Sequence, residues 1–538
     1  MAKSIDIEQK TDSAVLNIVL DTLKRNKQAL VFAGTKRSAE KAAEDIAKKM
    51  KPAEELEELA LRALRALAKP TKQCEKLAFC LKKGIAFHHA GLHSKQREII
   101  EEHFKNGVIR IVCSTPTLAY GLDLPAYRSI IKDLKRYGSR GLNWIPVMDY
   151  HQMAGRAGRP SYDTEGQAIT IAGSEAEKDF IFEKYVNGKP EHIYSKLAVE
   201  PVLRTYLLSL IATKLVKDKQ QIMDFFSKTF WSHQFKDLEH LEIIITKMLE
   251  LLEEYEFIKV SGGEEQAGMQ KLKGLKDEFV SANEISNTQE SYAATFLGKR
   301  VSELYLDPVS AYHIIEGLRN ASGRKLRSIG LLQLLSNTLE MYPLLTVRVK
   351  EREKIEQELM RNEHFLLEKE PSLYDPDYDD YIKSFKTALF FESWIDEKDE
   401  EFLLEEFTVR PGETRSKLQI ADWLLFCTEE LAKILQFKEM VRETAKLRLR
   451  MQHGVKEELL PLIRLEGIGR VRARVMYNNK IRDLGDIRKA DIATLNALLG
   501  RKVAESVRKQ VGTEVERIPE GKRKGQINIA DFDEFGDE

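Results

Sequence analysis

Between Gln28 and Ala172 five short apolar runs alternate with stretches of helical periodicity: Ala29-Leu30-Val31-Phe32, Ile85-Ala86-Phe87, Ile109-Arg110-Ile111-Val112, Ser129-Ile130-Ile131 and Ala168-Ile169-Thr170-Ile171. Runs this continuous, without polar alternation, suit strands buried on both faces, and strands separated by helices pair in parallel. The pattern predicts an α/β lobe with helices on both sides of one sheet. Between the first two runs, Pro52 to Lys83 is rich in Ala, Leu, Glu and Lys, and reads either as a helical insertion or as a lengthened crossover helix.

One such lobe accounts for about a third of 538 residues, and a chain of this length needs several cores. After Gly188-Lys189-Pro190 the strand pattern nearly vanishes. Helical periodicity from Ser195 to Leu252, then Phe257-Ile258-Lys259-Val260, supply the parts of a winged helix. From Tyr305-Leu306-Asp307-Pro308 to Val455 the chain is almost wholly helical, which implies a bundle. Leu459 to Val511 forms a compact basic unit around Gly467-Ile468-Gly469, and a polar tail follows. The expected division is 1–190, 191–305, 306–455, 456–515 and 516–538, a multidomain α/β plus α architecture.

Lys plus Arg and Asp plus Glu balance at 85 each, so any polyanion must be held by a local basic patch rather than by a global field. The four cysteines, Cys74, Cys80, Cys113 and Cys427, form no C-x-x-C pair, which argues against a zinc module and a disulfide framework. No apolar run approaches the ~20 residues of a membrane span, and MAKSIDIEQKTDS lacks the apolar core of a signal peptide. A cytoplasmic protein with no metal site is the expectation.

The most specific string is Gln152-Met153-Ala154-Gly155-Arg156-Ala157-Gly158-Arg159, expected at the start of a helix. Arginines three apart would share one helical face, with glycines letting the backbone approach a neighbouring lobe. A planar guanidinium meets phosphate oxygens bidentately, which suits it to a transferring phosphoryl group. The bland alternative is a surface salt-bridge pair.

This string resembles motif six of superfamily-two helicases, and companion motifs precede it in the expected order. Leu30 to Ala39 resembles motif four, whose Thr35 and Arg37 the resemblance places on a DNA phosphate. Phe87-His88-His89-Ala90-Gly91-Leu92 resembles the next nucleic-acid-contact motif, with His89 as the contact; a metal cluster with His88 and His93 is the weaker alternative for want of Cys or carboxylate partners. Ser114 to Pro125 resembles motif five, in which Thr115 and Thr117 offer hydroxyls to phosphate, and Gly121 and Asp123 face the nucleotide. Relatives often carry a small residue at the Tyr120 position and Asn at the Asp123 position. The lobe is thereby expected to be the second RecA-like lobe of a motor.

Asp133 to Pro146, basic and aromatic around two glycines, has the spacing of a hairpin whose tip, with Tyr137, wedges between paired bases; the alternative is a loop packing Tyr137 and Trp144 on its own lobe. Arg415 and Trp423 lie two turns apart, about 12 Å of rise, in Arg415 to Leu425. The string resembles a ratchet helix that stacks bases, although burial of Trp423 in the bundle is a serious alternative. Leu465-Glu466-Gly467-Ile468-Gly469-Arg470-Val471-Arg472-Ala473-Arg474 has the form of a helix-hairpin-helix phosphate seat, with Gly467 and Gly469 exposing backbone N–H groups and Arg470, Arg472 and Arg474 adding charge. The order of parts resembles the archaeal repair helicases called Hjm, for Holliday junction migration, relatives of the helicase half of polymerase theta. That resemblance implies ATP-dependent 3′ to 5′ unwinding of forked or branched DNA in repair and replication restart.

No G-x-x-x-x-G-K-[ST] string and no D-E-x-H box occur, so ATP and Mg²⁺ are expected to be held mainly by a first lobe outside these residues, and the chain to be the carboxy-terminal part of a motor. Competing expectations are half of a split helicase with a separately encoded first lobe, a non-catalytic module for fork or single-stranded DNA, and an RNA helicase of the Ski-like group. Gln526, Ile529 and Phe532 have the spacing of a sliding-clamp docking peptide, with a plain tail as the blander reading.

Overall fold

A computed structural model describes residues 6–67, 69–120, 124–138, 141–158, 163–261, 290–324 and 326–512. Gly121, Asp123, Arg159, Gln526, Ile529 and Phe532 lie outside the described residues.

The apolar runs become five parallel strands: β1 (Ala29–Phe32), β2 (Ile85–His88), β3 (Ile111–Ser114), β4 (Arg128–Ile131) and, later in the chain, β7 (Gln167–Thr170), in the order β2-β3-β1-β4-β7. Every residue of β1 to β4 is buried. β3 starts at Ile111 rather than Ile109, because the Val108 and Ile109 N–H groups are taken by the His103 carbonyl at the end of the preceding helix. Helices α1 (Ala14–Lys24), α2 (Lys36–Ala47), α3 (Glu57–Leu64), α4 (Lys72–Leu81) and α5 (Ser94–Lys105) cover the sheet, so Pro52 to Lys83 holds two helices rather than one. A separate antiparallel hairpin, β5 (Lys135–Gly138) and β6 (Gly141–Trp144), precedes α6 (Val147–Ala154), its base set against the lobe.

Beyond the lobe, α7 (Glu175–Ile181) leads to the winged-helix unit: α8 (Glu200–Ala212), α9 (Lys219–Ser227), α10 (Phe230–Phe235), α11 (Leu238–Glu254) and the hairpin of β8 (Ile258–Ser261) with β9 (Ser291–Ala294). Its core runs without a break into the helical bundle, whose longest helix is Pro411–Ile434. Val455 to Val511 has its own apolar cluster. The fold is therefore a parallel-sheet lobe, a winged helix and a helical carboxy-terminal region. All four cysteines are free and buried. Among the described residues no helix is long and apolar enough to cross a membrane, and no group of three His, Cys, Asp or Glu converges as metal ligands.

One buried ion pair joins winged helix to bundle. Arg204 of α8 grips Asp307 through Nε at 2.9 Å and Nη2 at 2.9 Å, and Asp307 in turn accepts the Val309 N–H at the start of the next helix. Both side chains are nearly sealed from water. Removing one partner leaves an uncompensated buried charge, so Arg204→Ala should cost about 3–5 kcal/mol. Urea unfolding followed by the fluorescence of buried Trp231 measures this, and an unchanged midpoint would refute it.

Candidate nucleic-acid and nucleotide interface

Thr35 caps α2, its hydroxyl accepting the Ser38 N–H at 3.1 Å. Thr35 and Arg37 are exposed and line a groove with Lys41 and Lys132. Asp133 fixes the Thr35 loop from below, accepting the Gly34 N–H at 3.0 Å and the Ser38 hydroxyl at 3.1 Å. Burial pushes the Asp133 carboxyl up, but these hydrogen bonds and Lys132 outweigh it and hold the group below its ordinary range.

His89 does not reach this surface. It is wholly buried, so its expected role as a DNA contact is corrected to an anchor. Its Nδ1 accepts the Gly91 N–H at 3.1 Å, which leaves Nε2 to donate to Glu40 Oε1 at 3.1 Å. The same oxygen accepts Gln73 Nε2 at 3.0 Å and Arg410 Nε at 3.1 Å. Arg410 caps the long helix Pro411–Ile434, so a single carboxylate binds the sheet lobe to the bundle. The backbones meet as well: the Gly412 N–H donates to the Gly91 carbonyl at 3.0 Å, and a Cβ on Gly412 would lie 2.2 Å from the Ala90 oxygen. Lys36 pairs with Glu413 alongside. Burial pushes Glu40 up, but the His89 hydrogen bond and the Arg410 charge hold it at about 2, while burial drives His89 below its ordinary value.

Beyond that seam the long helix turns toward solvent. Arg415 is exposed and lines a groove with His93 of the lobe and with Gln419 and Asp422. Trp423 is half-buried against the bundle core, between the two alternatives drawn from its sequence.

The motif-six string corrects a second expectation: it ends a helix rather than starting one. α6 stops at Ala154, so Arg156 lies past the helix rather than on it. Its half-buried guanidinium donates through Nε to the Ala119 carbonyl at 3.2 Å, within its own lobe. The glycines also serve that lobe: Gly158 has φ +93°, and a Cβ on Gly166 would lie 2.4 Å from the Gly158 nitrogen. Two glycines in four residues are poor helix formers, which explains the early stop. Gln152 is exposed on the last turn of α6. Thr115 is nearly buried, its hydroxyl 2.8 Å from that of exposed Thr117.

In the hairpin, Tyr137 pairs through its backbone with Leu142, which is 55% exposed; the Tyr137 side chain lies outside what is described. Trp144 at the base packs on its own lobe, 4.7 Å from the Phe180 ring, with Lys135 Nζ 4.2 Å over its face.

At the carboxy-terminal turn Gly467 and Gly469 are exposed, and Gly469 precedes the helix Arg470–Asn478. Arg472 is exposed, donating to the Gly467 carbonyl at 2.9 Å. Arg470 and Arg474 have partners within the chain: Arg470 lies 4.8 Å over the Trp394 ring and donates to the Lys398 carbonyl, and Arg474 grips Glu397 at 2.8 Å and Glu458 at 2.9 Å. Glu40, Arg410 and Gly412 are functional residues that the sequence analysis did not single out. The one available signal was Glu40, which falls on the apolar face of α2 with Ala39, Ala43 and Ala47.

Residues 62–161 match the helicase conserved C-terminal domain, 177–259 a helix-turn-helix domain, and 329–454 domain 4 of archaeal helicases. ATP-dependent DNA helicase Hel308 of Pyrococcus horikoshii is 36% identical over 520 residues, covering 95% of this chain and 67% of that protein. The Pyrococcus abyssi protein of the same name matches to the same extent, and that of Methanocella arvoryzae is 36% identical over 96% of this chain and 68% of its own length.

The seam should be acid-sensitive. Because folding lowers the His89 pKa, its contribution is intact above the ordinary value of 6.5 and is lost as pH falls from there through the folded value; the Glu40 contribution persists until pH drops below 4.5 toward about 2. The protection factor of the Gly412 amide, its measured exchange rate set against the intrinsic rate at each pH, should therefore fall as pH drops below 6.5 in the native chain and not in His89→Gln. A flat profile in the native chain would refute the assignment.

Proposed function

The chain belongs to the Hel308 family of archaeal DNA helicases, and from that premise we propose that it forms the DNA-gripping part of an ATP-dependent motor that unwinds forked or branched DNA with 3′ to 5′ polarity. The observation that carries this reading is the groove between lobe and bundle, where His93 and Arg415 face one another across the locked Gly91–Gly412 seam. A strand lying there touches the lobe and the long helix at once. Trp423 stacks bases further along that helix, Thr35 and Arg37 hold phosphates, and the exposed hairpin parts the duplex.

In this reading Gln152, Arg156, Thr117 and the segment through Gly121 and Asp123 form one wall of the nucleotide site, with Arg159 completing it. ATP supplies the phosphoryl-transfer energy. Arg156 orients that wall through the Ala119 carbonyl. The phosphate cradle and Mg²⁺ ligands come from a first RecA-like lobe, since no G-x-x-x-x-G-K-[ST] string lies within these 538 residues. The domain plan we propose keeps 1–190, 191–305, 306–455, 456–515 and 516–538. Gly467, Gly469 and Arg472 seat a phosphate at the carboxy-terminal hairpin.

Two measurements test this. The chain should bind forked and single-stranded DNA more tightly than duplex, with Arg415→Ala weakening both and Arg472→Ala lowering the log–log salt slope by about 1, the loss of one phosphate contact. Equal affinity for all three substrates would sink the strand-path reading. The chain alone should hydrolyse no ATP; DNA-stimulated hydrolysis abolished by Arg159→Ala would refute the assignment of the phosphate cradle to another lobe.

A further inference from the structure

Asp149 lies in the first turn of α6, three residues before Gln152, and no motif absorbs it. Its side chain is only 13% exposed, and its two oxygens serve different parts of the lobe. Oδ1 accepts the hydroxyl of Tyr120, and Oδ2 accepts Arg136 Nη1 at 3.0 Å. Tyr120 closes the turn Pro116–Ala119, whose last carbonyl holds Arg156; Arg136 belongs to β5 of the hairpin. One carboxylate thus spans the nucleotide-wall loop, the helix leading into Gln152 and the hairpin.

We propose that Asp149 is a positioning residue through which Tyr120 sets the pose of the β5–β6 hairpin, so that a shift of the 115–120 loop is felt at the hairpin. The inference rests on the helicase reading above, in which that loop faces nucleotide and the hairpin separates strands. The physical ground is that both partners bind one small rigid group. A carboxylate cannot rotate to follow the Tyr120 hydroxyl without moving the oxygen that Arg136 holds. Arg136 is half-exposed and has no second carboxylate in contact among the described residues, so its orientation follows Asp149. The base of the hairpin is held independently, by the Ile145 N–H on the Leu134 carbonyl at 2.9 Å and by Trp144 on Phe180. The relay therefore acts on the arm above a fixed hinge.

The test compares the full chain with Tyr120→Phe, Asp149→Asn and Arg136→Gln. Hydrogen exchange of the amides in 135–144 is read first, then the fluorescence of 2-aminopurine placed in the first base pair of a bound fork. Among the described residues the Tyr120 hydroxyl bonds Asp149 and not the hairpin, although it lies within electrostatic reach of Arg136, so a role confined to local packing predicts little change there on Tyr120→Phe. The relay predicts exchange faster by about threefold, the scale of a partly exposed charged contact. It also predicts weaker 2-aminopurine brightening with single-strand affinity unchanged, and no added effect when Tyr120→Phe is combined with Arg136→Gln. Hairpin exchange in Tyr120→Phe equal to that of the unaltered chain would overturn the proposal. If the unaltered chain fails to brighten the junction base, the strand-separating reading falls, while the exchange comparison still decides the relay.

Discussion

A carboxylate sealed from water is costly unless every charge and proton around it is matched, and Glu40 meets that condition only when two distant parts of the chain come together. His89 and Gln73 come from the sheet lobe, Arg410 from the start of the bundle's longest helix. Without Arg410 the lobe would hold a buried anion with two neutral donors. Docking of the bundle is thus demanded by the lobe's own electrostatics. The glycine contact beside it makes the docking close, because Gly412 and Gly91 bring backbone against backbone. The groove beside Gly91 and Gly412 takes its geometry from this joint, while the Lys69–Asp399 and Lys72–Glu405 pairs tie lobe to bundle elsewhere.

The sheet was legible because its strands are buried on both faces and therefore unbroken in hydrophobicity. The hairpin was legible because its glycines and aromatics lie between two such strands. What failed were roles that depend on partners far away in sequence. His89 sits in a string that looks like a contact loop, and its burial is decided by Arg410, over three hundred residues on. Arg470 and Arg474 look like part of a basic patch, yet the Trp394 ring, Glu397 and Glu458 that claim them belong to other segments. Local charge signals a polyanion site only after internal partners have been subtracted, and a single sequence does not reveal that subtraction. For Arg156 the reason is nearer: i, i+3 spacing implies a shared face only where a helix continues, and two glycines lower the helix propensity of this string.

Anchor and contact alternate along both elements that border the proposed strand path. On the lobe, buried His89 is followed four residues later by His93 at the groove; on the long helix, Arg410, spent on Glu40, is followed five residues later by exposed Arg415. Arg410 caps the helix and Arg415 lies on its first turns, so the seam and the groove beside it are set by one short stretch of chain. The short separation matters because positional error grows with the length of chain between anchor and contact. A guanidinium one and a half turns from a charge-locked, glycine-sealed joint is held far more closely than one on a free surface helix.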